Sequence, residues 1–267
     1  MERNMPKQES RNTNNNIIYL SEPSSVSMDD EWYEITDKDH FWMKWRFVYI
    51  SKYVNSIFLK EKRVLEIGCG NGINMQMFEL NEQLIIDGCD LNEKALKMTP
   101  DLKGKKYLYN IHEDHPLMVN KYDFVLLSDV IEHIKDDKGF IIDSLKSLKM
   151  NGSLLINVPA NKFLFSRYDQ VIGHERRYGK DELTTLLESL GLQIEYINHW
   201  GFFLVPVVIL RKLLFVFTKK KTTKLGFKPF HPIINKAFLV LMKIETKYFP
   251  NPIIGTSLFA VAKKIKD

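Results

Sequence analysis

The run VLEIGCGNG, Val64 to Gly72, constrains this chain more than any other stretch. A short apolar strand delivers an acid, Glu66, and then Gly68, Gly70 and Gly72 at alternate positions. Glycines so spaced let the backbone turn sharply and come close to a ligand, an approach that a Cβ would block. A helix is expected to begin at once, with its N-terminal amides facing the same ligand. A second strand ends at Asp90 in IIDGCD, 22 residues after Gly68. A carboxylate there suits a bidentate hydrogen bond to ribose hydroxyls, and Leu91 beside it is placed to pack on an adenine face. A dinucleotide fingerprint needs Gly-x-Gly-x-x-Gly, and the position of its last glycine is Ile73. Gly72 comes one residue early, which favours a nucleoside cofactor without a pyrophosphate. The alternative reading is an ordinary strand–turn–helix with structural glycines.

Strand and helix patterns alternate around this run. Strands are expected at Arg63–Ile67, Leu84–Cys89, Lys106–Tyr109, Phe124–Leu127, Leu154–Val158, Gln193–His199 and Ser257–Ala262. Helices are expected near Ile73–Leu80, from Glu93, over Asp136–Leu148 and over Asp181–Leu190. Such alternation argues for a parallel sheet covered by helices. Residues 1–27, rich in Asn, Ser, Glu and Lys, read as a disordered tail. Residues 28–60 form an aromatic helical cap in which Phe41, Trp45 and Val48 share a face. Residues 61–200 with 255–267 make the core, and 201–254 a hydrophobic, basic helical insertion. Cys69 and Cys89 lack metal or redox spacing and read as reduced, buried residues. With no apolar signal core near the N-terminus, a cytoplasmic protein is expected.

VLEIGCGNG, the strand end at Asp90, and YDFVLLSDVIEHI (Tyr122 to Ile134) resemble three successive motifs of class I S-adenosylmethionine-dependent methyltransferases. The resemblance covers about residues 61–200 and resumes at 257–264. It implies an α/β, Rossmann-like seven-stranded sheet ordered 3-2-1-4-5-7-6 with the last strand antiparallel. It also implies an enzyme with S-adenosylmethionine as cofactor. By the same resemblance, Glu66 and the turn of Gly68, Cys69, Gly70 and Gly72 hold the methionine part of the cofactor. Asp90 holds the ribose, and Ser128 and Asp129 lie beside the sulfonium and the methyl group. Many relatives carry an acid near the adenine after the third strand; the matching stretch here, Ile111 to Asp114, leaves that contact open.

Methyl transfer from a sulfonium is an in-line displacement, so alignment of donor and acceptor matters most, worth roughly 7–11 kcal/mol. A hydroxyl acceptor also gains about 10²–10⁴-fold from a general base. The polar and aromatic run Asn157 to Tyr178 follows the fifth strand, where open α/β sheets place their ligands. His174 is the candidate base, with Asp129 and Arg177 completing the catalytic set. Arg176 and Arg177 suit a phosphate or carboxylate, and Tyr168, Asp169 and Tyr178 suit orientation of the acceptor. The competing reading has His174, Arg176 and Arg177 tie the loop to the next helix. Glu132 and His133 fall on the helix after the fourth strand, where His133 is expected to make a structural hydrogen bond. No metal is expected, because the histidines show no ligand spacing with cysteine or acids. The loop, with its Gly-His-x-Arg-Arg-Tyr signature and the His40-Phe41-Trp42 segment, resembles a subset of the family assigned to glycan, lipid-linked sugar or envelope modification. O-methylation of such a small or lipid-linked acceptor is the expected activity. The rivals are a quinone or prenyl-lipid methyltransferase, a non-catalytic cofactor-binding scaffold at a membrane, and an RNA or protein methyltransferase.

The insertion opens with GFFLVPVVILRKLLFVF, Gly201 to Phe217. A membrane span needs about 20 apolar residues, and Arg211-Lys212 interrupts this shorter run. Ile233, Ile234, Ala237, Phe238, Leu241 and Ile244 mark one face of a second helix. From Gly201 onward thirteen basic residues stand against two acids, Glu245 and Asp267, with Lys219, Lys220, Lys221, Lys224 and Lys228 between the helices. Apolar faces beside lysines suit an anionic membrane surface met through residues 201–248, hence a peripheral location. A helical lid with its lysines in solvent is the alternative. The apolar density argues against nucleic acid.

Overall fold

The computed structural model describes residues 16–24, 33, 37–57, 62–217 and 231–266. The expected tail before residue 16, Trp32, and the lysines from Lys219 to Lys228 lie outside the described residues.

Eight strands form one sheet: β1 Ile17–Tyr19, β2 Val64–Ile67, β3 Ile86–Asp90, β4 Lys106–Leu108, β5 Tyr122–Ser128, β6 Leu148–Pro159, β7 Leu192–Trp200 and β8 Ser257–Lys264. Their order is β1-β4-β3-β2-β5-β6-β8-β7. Without β1 this is the seven-strand order expected from the resemblance. β8 runs antiparallel to both β6 and β7, and the other pairs are parallel.

The extra strand corrects the reading of residues 1–27 as tail throughout. Ile17, Ile18 and Tyr19 pair with Lys106, Tyr107 and Leu108, and Tyr19 donates its hydroxyl to Glu93 at 2.7 Å. A three-residue apolar run is too short to announce itself in polar surroundings. It forms because β4 presents an open edge whose carbonyls need donors.

Helices cover both faces. On one lie α1 Phe41–Ile57, α2 Ile73–Glu82 and α3 Glu93–Met98, packing Phe41, Trp45, Ile50, Phe78 and Leu96 against the sheet. On the other, α4 Asp137–Leu145 and α6 Lys180–Ser189 bury Phe140, Ile141, Leu183 and Leu187. Phe41 and Trp45 are buried as expected, but Val48 faces outward at 38% exposure. A short helix, α5 Arg167–Val171, follows β6, and the insertion supplies α7 Val205–Phe217 and α8 Pro232–Tyr248. Glu132 and His133 sit in a separate 3₁₀ turn, Ile131–His133, rather than on α4. That turn kinks the chain back under the loop that holds α5, which a continuous helix would not do.

Glu245 of α8 anchors the insertion. It is fully buried and accepts from the backbone N–H of Gly201 at 2.7 Å and of Phe203 at 3.1 Å. Of the expected apolar face of α8, Phe238 packs on the core, whereas Ile233, Ile234, Leu241 and Ile244 are exposed. The residues α8 buries are Met242 and Glu245. No described helix is long and apolar enough to cross a membrane.

Candidate active site

The chain folds β2, β3 and β4 to one side and β5 and β6 to the other, so a crevice opens where β2 and β5 lie side by side. Ligands of open α/β sheets bind at such a switch point, beyond the strand C-termini. Glu66, Asp90 and Ser128 stand at or next to the ends of β2, β3 and β5.

Three cavities meet there. The largest of them, about 190 Å³, is lined by Asp90, Leu91, Gly68, Tyr109, Ile111 and Val130 among others. A second, about 70 Å³, is bounded by Glu66, the turn Gly68–Asn71, Asn74, Ser128 and Arg46. A third, about 90 Å³, lies between the loop after β6 and the insertion, with Tyr168, His174, Arg177 and Arg211 in its wall. Asp129 lines all three.

The turn is built on left-handed backbone that glycine adopts freely. Gly68 has φ +73°, and a Cβ there would meet Val130 Cγ2 at 2.6 Å. A Cβ at Gly70 would meet the Tyr33 ring at 2.7 Å. Protein neighbours thus demand glycine at both positions, beyond any need for ligand approach. Tyr33 also accepts from Asn71 Nδ2 through its carbonyl at 3.0 Å and lines two of the cavities. The aromatic cap therefore reaches the site, through a tyrosine. Asp90 accepts from the N–H of Gly70 and of Asn92, both at 2.8 Å, which fixes the turn to the end of β3.

A buried polar chain runs beneath the crevice. Asn74 donates to Glu66 Oε1 at 2.5 Å, and Arg46 donates to Asn74 Oδ1 at 3.0 Å. Arg46 also pairs with Asp129 Oδ2 at 2.8 Å, and Asn157 donates to Asp129 Oδ1 at 3.0 Å. Trp200 Nε1 completes the chain by donating to Asn157 at 2.9 Å. Asp129 itself adopts φ +57°, sparsely populated for a non-glycine residue, and these partners hold it there. Burial pushes the Glu66 carboxyl up to about 7, partly offset by its hydrogen bond from Asn74 and the charge of Arg46. Glu66 Oε2 and Ser128 Oγ are buried with no hydrogen-bond partner among the described residues.

The loop after β6 is organised by Asp169. Its Oδ2 accepts from Ser166 N at 2.8 Å and Oγ at 2.9 Å, closing a capping box on α5. Its Oδ1 takes Arg177 Nε at 2.8 Å and His174 Nδ1 at 3.2 Å. Hydrogen bonds from His174 and the charge of Arg177 outweigh burial and hold the Asp169 carboxyl far below its ordinary range. Burial drives His174 downward, against the pull of Asp169. His133 is pushed down to about 3, mainly by burial and then by His174. His133 makes the expected structural bond, Nδ1 to the carbonyl of Gly173 at 3.1 Å. Burial, with the nearby charge of Asp129, raises Glu132 well above the usual carboxylate range.

A methyltransferase domain matches residues 42–197. The chain belongs to the class I S-adenosylmethionine-dependent methyltransferases. It is 32% identical to a ubiquinone biosynthesis O-methyltransferase of Pelagibacter ubique over 44% of this chain and 50% of that protein. The methyltransferase spans about half the length of the curated relatives it matches. An S-adenosylmethionine-dependent methyltransferase from Archaeoglobus fulgidus superposes with TM-score 0.51 at 18% identity, over 82% of this chain and 92% of that one. Phosphoethanolamine N-methyltransferase 2 of Haemonchus contortus, solved with S-adenosylmethionine, superposes with TM-score 0.55 at 18% identity, over 83% of this chain and 52% of that one. At such identities the solved structures establish the fold.

S-adenosylmethionine is therefore the cofactor of this methyltransferase. The residues fit it: a cradle of left-handed glycines, an orphaned Glu66 oxygen and an orphaned Ser128 hydroxyl face one continuous crevice. On the acceptor side the structure redistributes the sequence-based roles. His174, Tyr168 and Arg177 line the third cavity. Asp169 lies behind them as their anchor. Arg176 instead pairs with Asp137 at 2.7 Å and donates to the Lys135 carbonyl at 2.8 Å. Tyr178 donates to the same Asp137 at 2.7 Å from within the core. Both staple the loop back to Asp137 at the start of α4, a helix that precedes the loop, whereas the competing reading tied His174, Arg176 and Arg177 to the helix that follows it.

Two residues were missed. Arg46 sits in an aromatic helix, where a lone arginine gave a weak signal. In the sequence Arg211 reads only as an interruption of an apolar run. It stands 3.9 Å over the Tyr168 ring, in the wall of the third cavity. Glu132, His133 and His174, which sequence spacing does not group, bring their ligand atoms within 4.8 Å of one another.

Proposed function

We propose that the methyltransferase acts on an oxygen of a small or lipid-linked acceptor bearing an anionic group, bound in the cavity between the loop after β6 and the insertion. The observation that carries this reading is Asp129, which lies at the junction of the two cofactor cavities and that third cavity. Glu66 accepts from the ammonium of the cofactor's methionine part. Gly68, Cys69, Gly70 and Gly72 shape its cradle, Asp90 holds the ribose, and Leu91 packs on the adenine. Ser128 and Asp129 stand beside the reacting carbon. When bound, S-adenosylmethionine supplies a methyl group on a sulfonium. An acceptor oxygen would take that methyl as the C–S bond breaks, and its hydroxyl proton would pass to solvent along the cavity wall of Glu132, His133 and His174. Arg177, tied to Asp169, holds that wall in place.

Arg211 supports the anionic acceptor. It is half-buried, stacked on Tyr168, and has no carboxylate partner within ion-pair distance among the described residues. Burial makes its charged form costly, which an incoming phosphate or carboxylate would relieve. Leu210 and Leu213, on the exposed side of the same helix, are 58% and 55% exposed. With the outward residues of α8 they offer a course for an apolar tail and a face for a membrane surface. The ubiquinone-pathway relatives favour a second reading, in which the acceptor is a hydroxyl of a quinone precursor.

The test is incubation with methyl-labelled S-adenosylmethionine and fractionated cell extract. Label in the lipid-linked sugar or anionic metabolite fraction, with KM raised about tenfold or more in Arg211→Met, supports the reading; a bound charged partner is commonly worth that much. Label in a neutral quinone precursor supports the second reading. Label in RNA or protein refutes both.

A further inference from the structure

We infer that Glu132, His133 and His174 form a binding site for a divalent transition metal such as zinc in the floor of the acceptor cavity. This rests on the acceptor-cavity reading for its purpose, though not for its chemistry. The 3₁₀ turn after β5 supplies the first two residues and the loop after α5 the third. His174 Nε2 lies 3.9 Å from Glu132 Oε1, and the two imidazole rings stand 4.7 Å apart, nearly perpendicular.

The hydrogen bonds fix which atoms are left to bind. His133 Nδ1 faces the carbonyl of Gly173, which only accepts, so Nδ1 carries the proton and Nε2 the lone pair. His174 Nδ1 faces Asp169, an ionised acceptor, with the same consequence. Metal-bound histidines are oriented in this way, by a carbonyl or carboxylate behind the distal nitrogen. His133 Nε2 is buried with no hydrogen-bond partner among the described residues.

Glu132 is the independent sign. Its side chain is fully buried, and neither carboxylate oxygen has a hydrogen-bond partner among the described residues. A buried carboxylate without donors needs a proton or a cation. The groups that face it are two imidazole lone pairs, and a cation can join both to the carboxylate at once, whereas a proton can bridge to only one of them. Donor atoms around zinc, bound at about 2.0–2.2 Å, stand roughly 3–3.5 Å apart. The three ligand atoms lie within 4.8 Å of one another, with 3.9 Å between His174 Nε2 and Glu132 Oε1, so a bound metal would draw them inward by about 1 Å. Two imidazoles and a carboxylate leave a position open, as in catalytic zinc sites. Glu132, His133 and His174 share the cavity with Tyr168 and Arg211, so the open position would take the acceptor's oxygen. A metal there lowers the pKa of a bound hydroxyl.

The test uses the full-length protein, stripped with chelator and titrated with Zn²⁺ alone by calorimetry, with metal content measured after dialysis. Glu132→Gln and His174→Asn serve as variants, and S-adenosylmethionine binding reports that each is folded. The expected result is one equivalent per chain, with affinity falling at least tenfold in both variants while cofactor binding persists. No uptake by cofactor-binding wild type overturns the proposal. So does an equivalent that survives in both variants, since it then sits elsewhere. Zinc uptake lost in both variants, with no hydroxyl acceptor methylated, would sustain the metal site while refuting the proposed function.

Discussion

Glu66 makes cofactor affinity depend on pH in a range well above that of most carboxylate sites. Its carboxyl titrates near 7 in the free protein, against 4.5 for an ordinary glutamate, chiefly because it is buried. An ammonium ligand needs the ionised form, so apparent affinity scales with the ionised fraction. That fraction is about 0.9 at pH 8 and about 0.1 at pH 6, which predicts a roughly tenfold weaker Kd at the lower pH. The same group affects stability without ligand. A folded-state pKa raised above the unfolded value means that the folded chain holds the proton longer. Stability from Glu66 is therefore greatest below about pH 4.5 and declines as pH rises towards 7. The gap corresponds to about 3 kcal/mol, fully lost above pH 7. Glu66→Gln keeps an acceptor for Asn74 and removes the titration. Calorimetric titration with S-adenosylmethionine at pH 6, 7 and 8, at constant ionic strength, should show the tenfold trend in wild type and a weaker, flat profile in the variant. Thermal unfolding of the free proteins should show the variant gaining on wild type from pH 5 to 8. A wild-type Kd constant within twofold, or an equal slope in the variant, would refute the reasoning.

Arg46→Met leaves half-buried Asp129 without its cation, and chemical denaturation should register a loss of about 1.5–3 kcal/mol; a loss under about 0.5 kcal/mol would show that Asn157 suffices. Glu245→Ala strips the acceptor from two buried amides, Gly201 and Phe203, at about 1–3 kcal/mol each. Limited proteolysis should then cut the insertion while the sheet survives, and uncut protein would contradict its anchoring role. Leu210→Asp with Leu213→Asp should abolish co-sedimentation with anionic phosphatidylglycerol vesicles while cofactor affinity stays within about twofold, because both side chains face outward. Unchanged sedimentation would assign the exposed face another role.

The cofactor half of the site was readable because it is local. Val64 to Gly72 carries strand, turn and helix start in nine residues, and Asp90 lies at the end of the next strand. Their geometry follows from short-range rules about glycine and strand ends. The acceptor half was readable only as a list. His174, Arg176, Arg177 and Tyr178 are consecutive or nearly so, yet the first and third turn to the cavity while the second and fourth turn to Asp137. A loop without regular period gives no rule for which side chains face inward.

The sequence by itself determined the order of elements, the family, the cofactor cradle and the presence of an amphipathic insertion. These depend on periodicity and on residues close along the chain. The tertiary structure decided the eighth strand, the outward face of α8, the Arg46–Asp129 pair, Arg211 over Tyr168, and the meeting of Glu132 and His133 with His174. Each joins segments tens of residues apart, or an edge that exists only once the sheet is assembled. The physical reason is burial: a charge such as Arg46 or Glu132 acquires its role from what surrounds it after water has been removed, and sequence spacing carries no record of those neighbours.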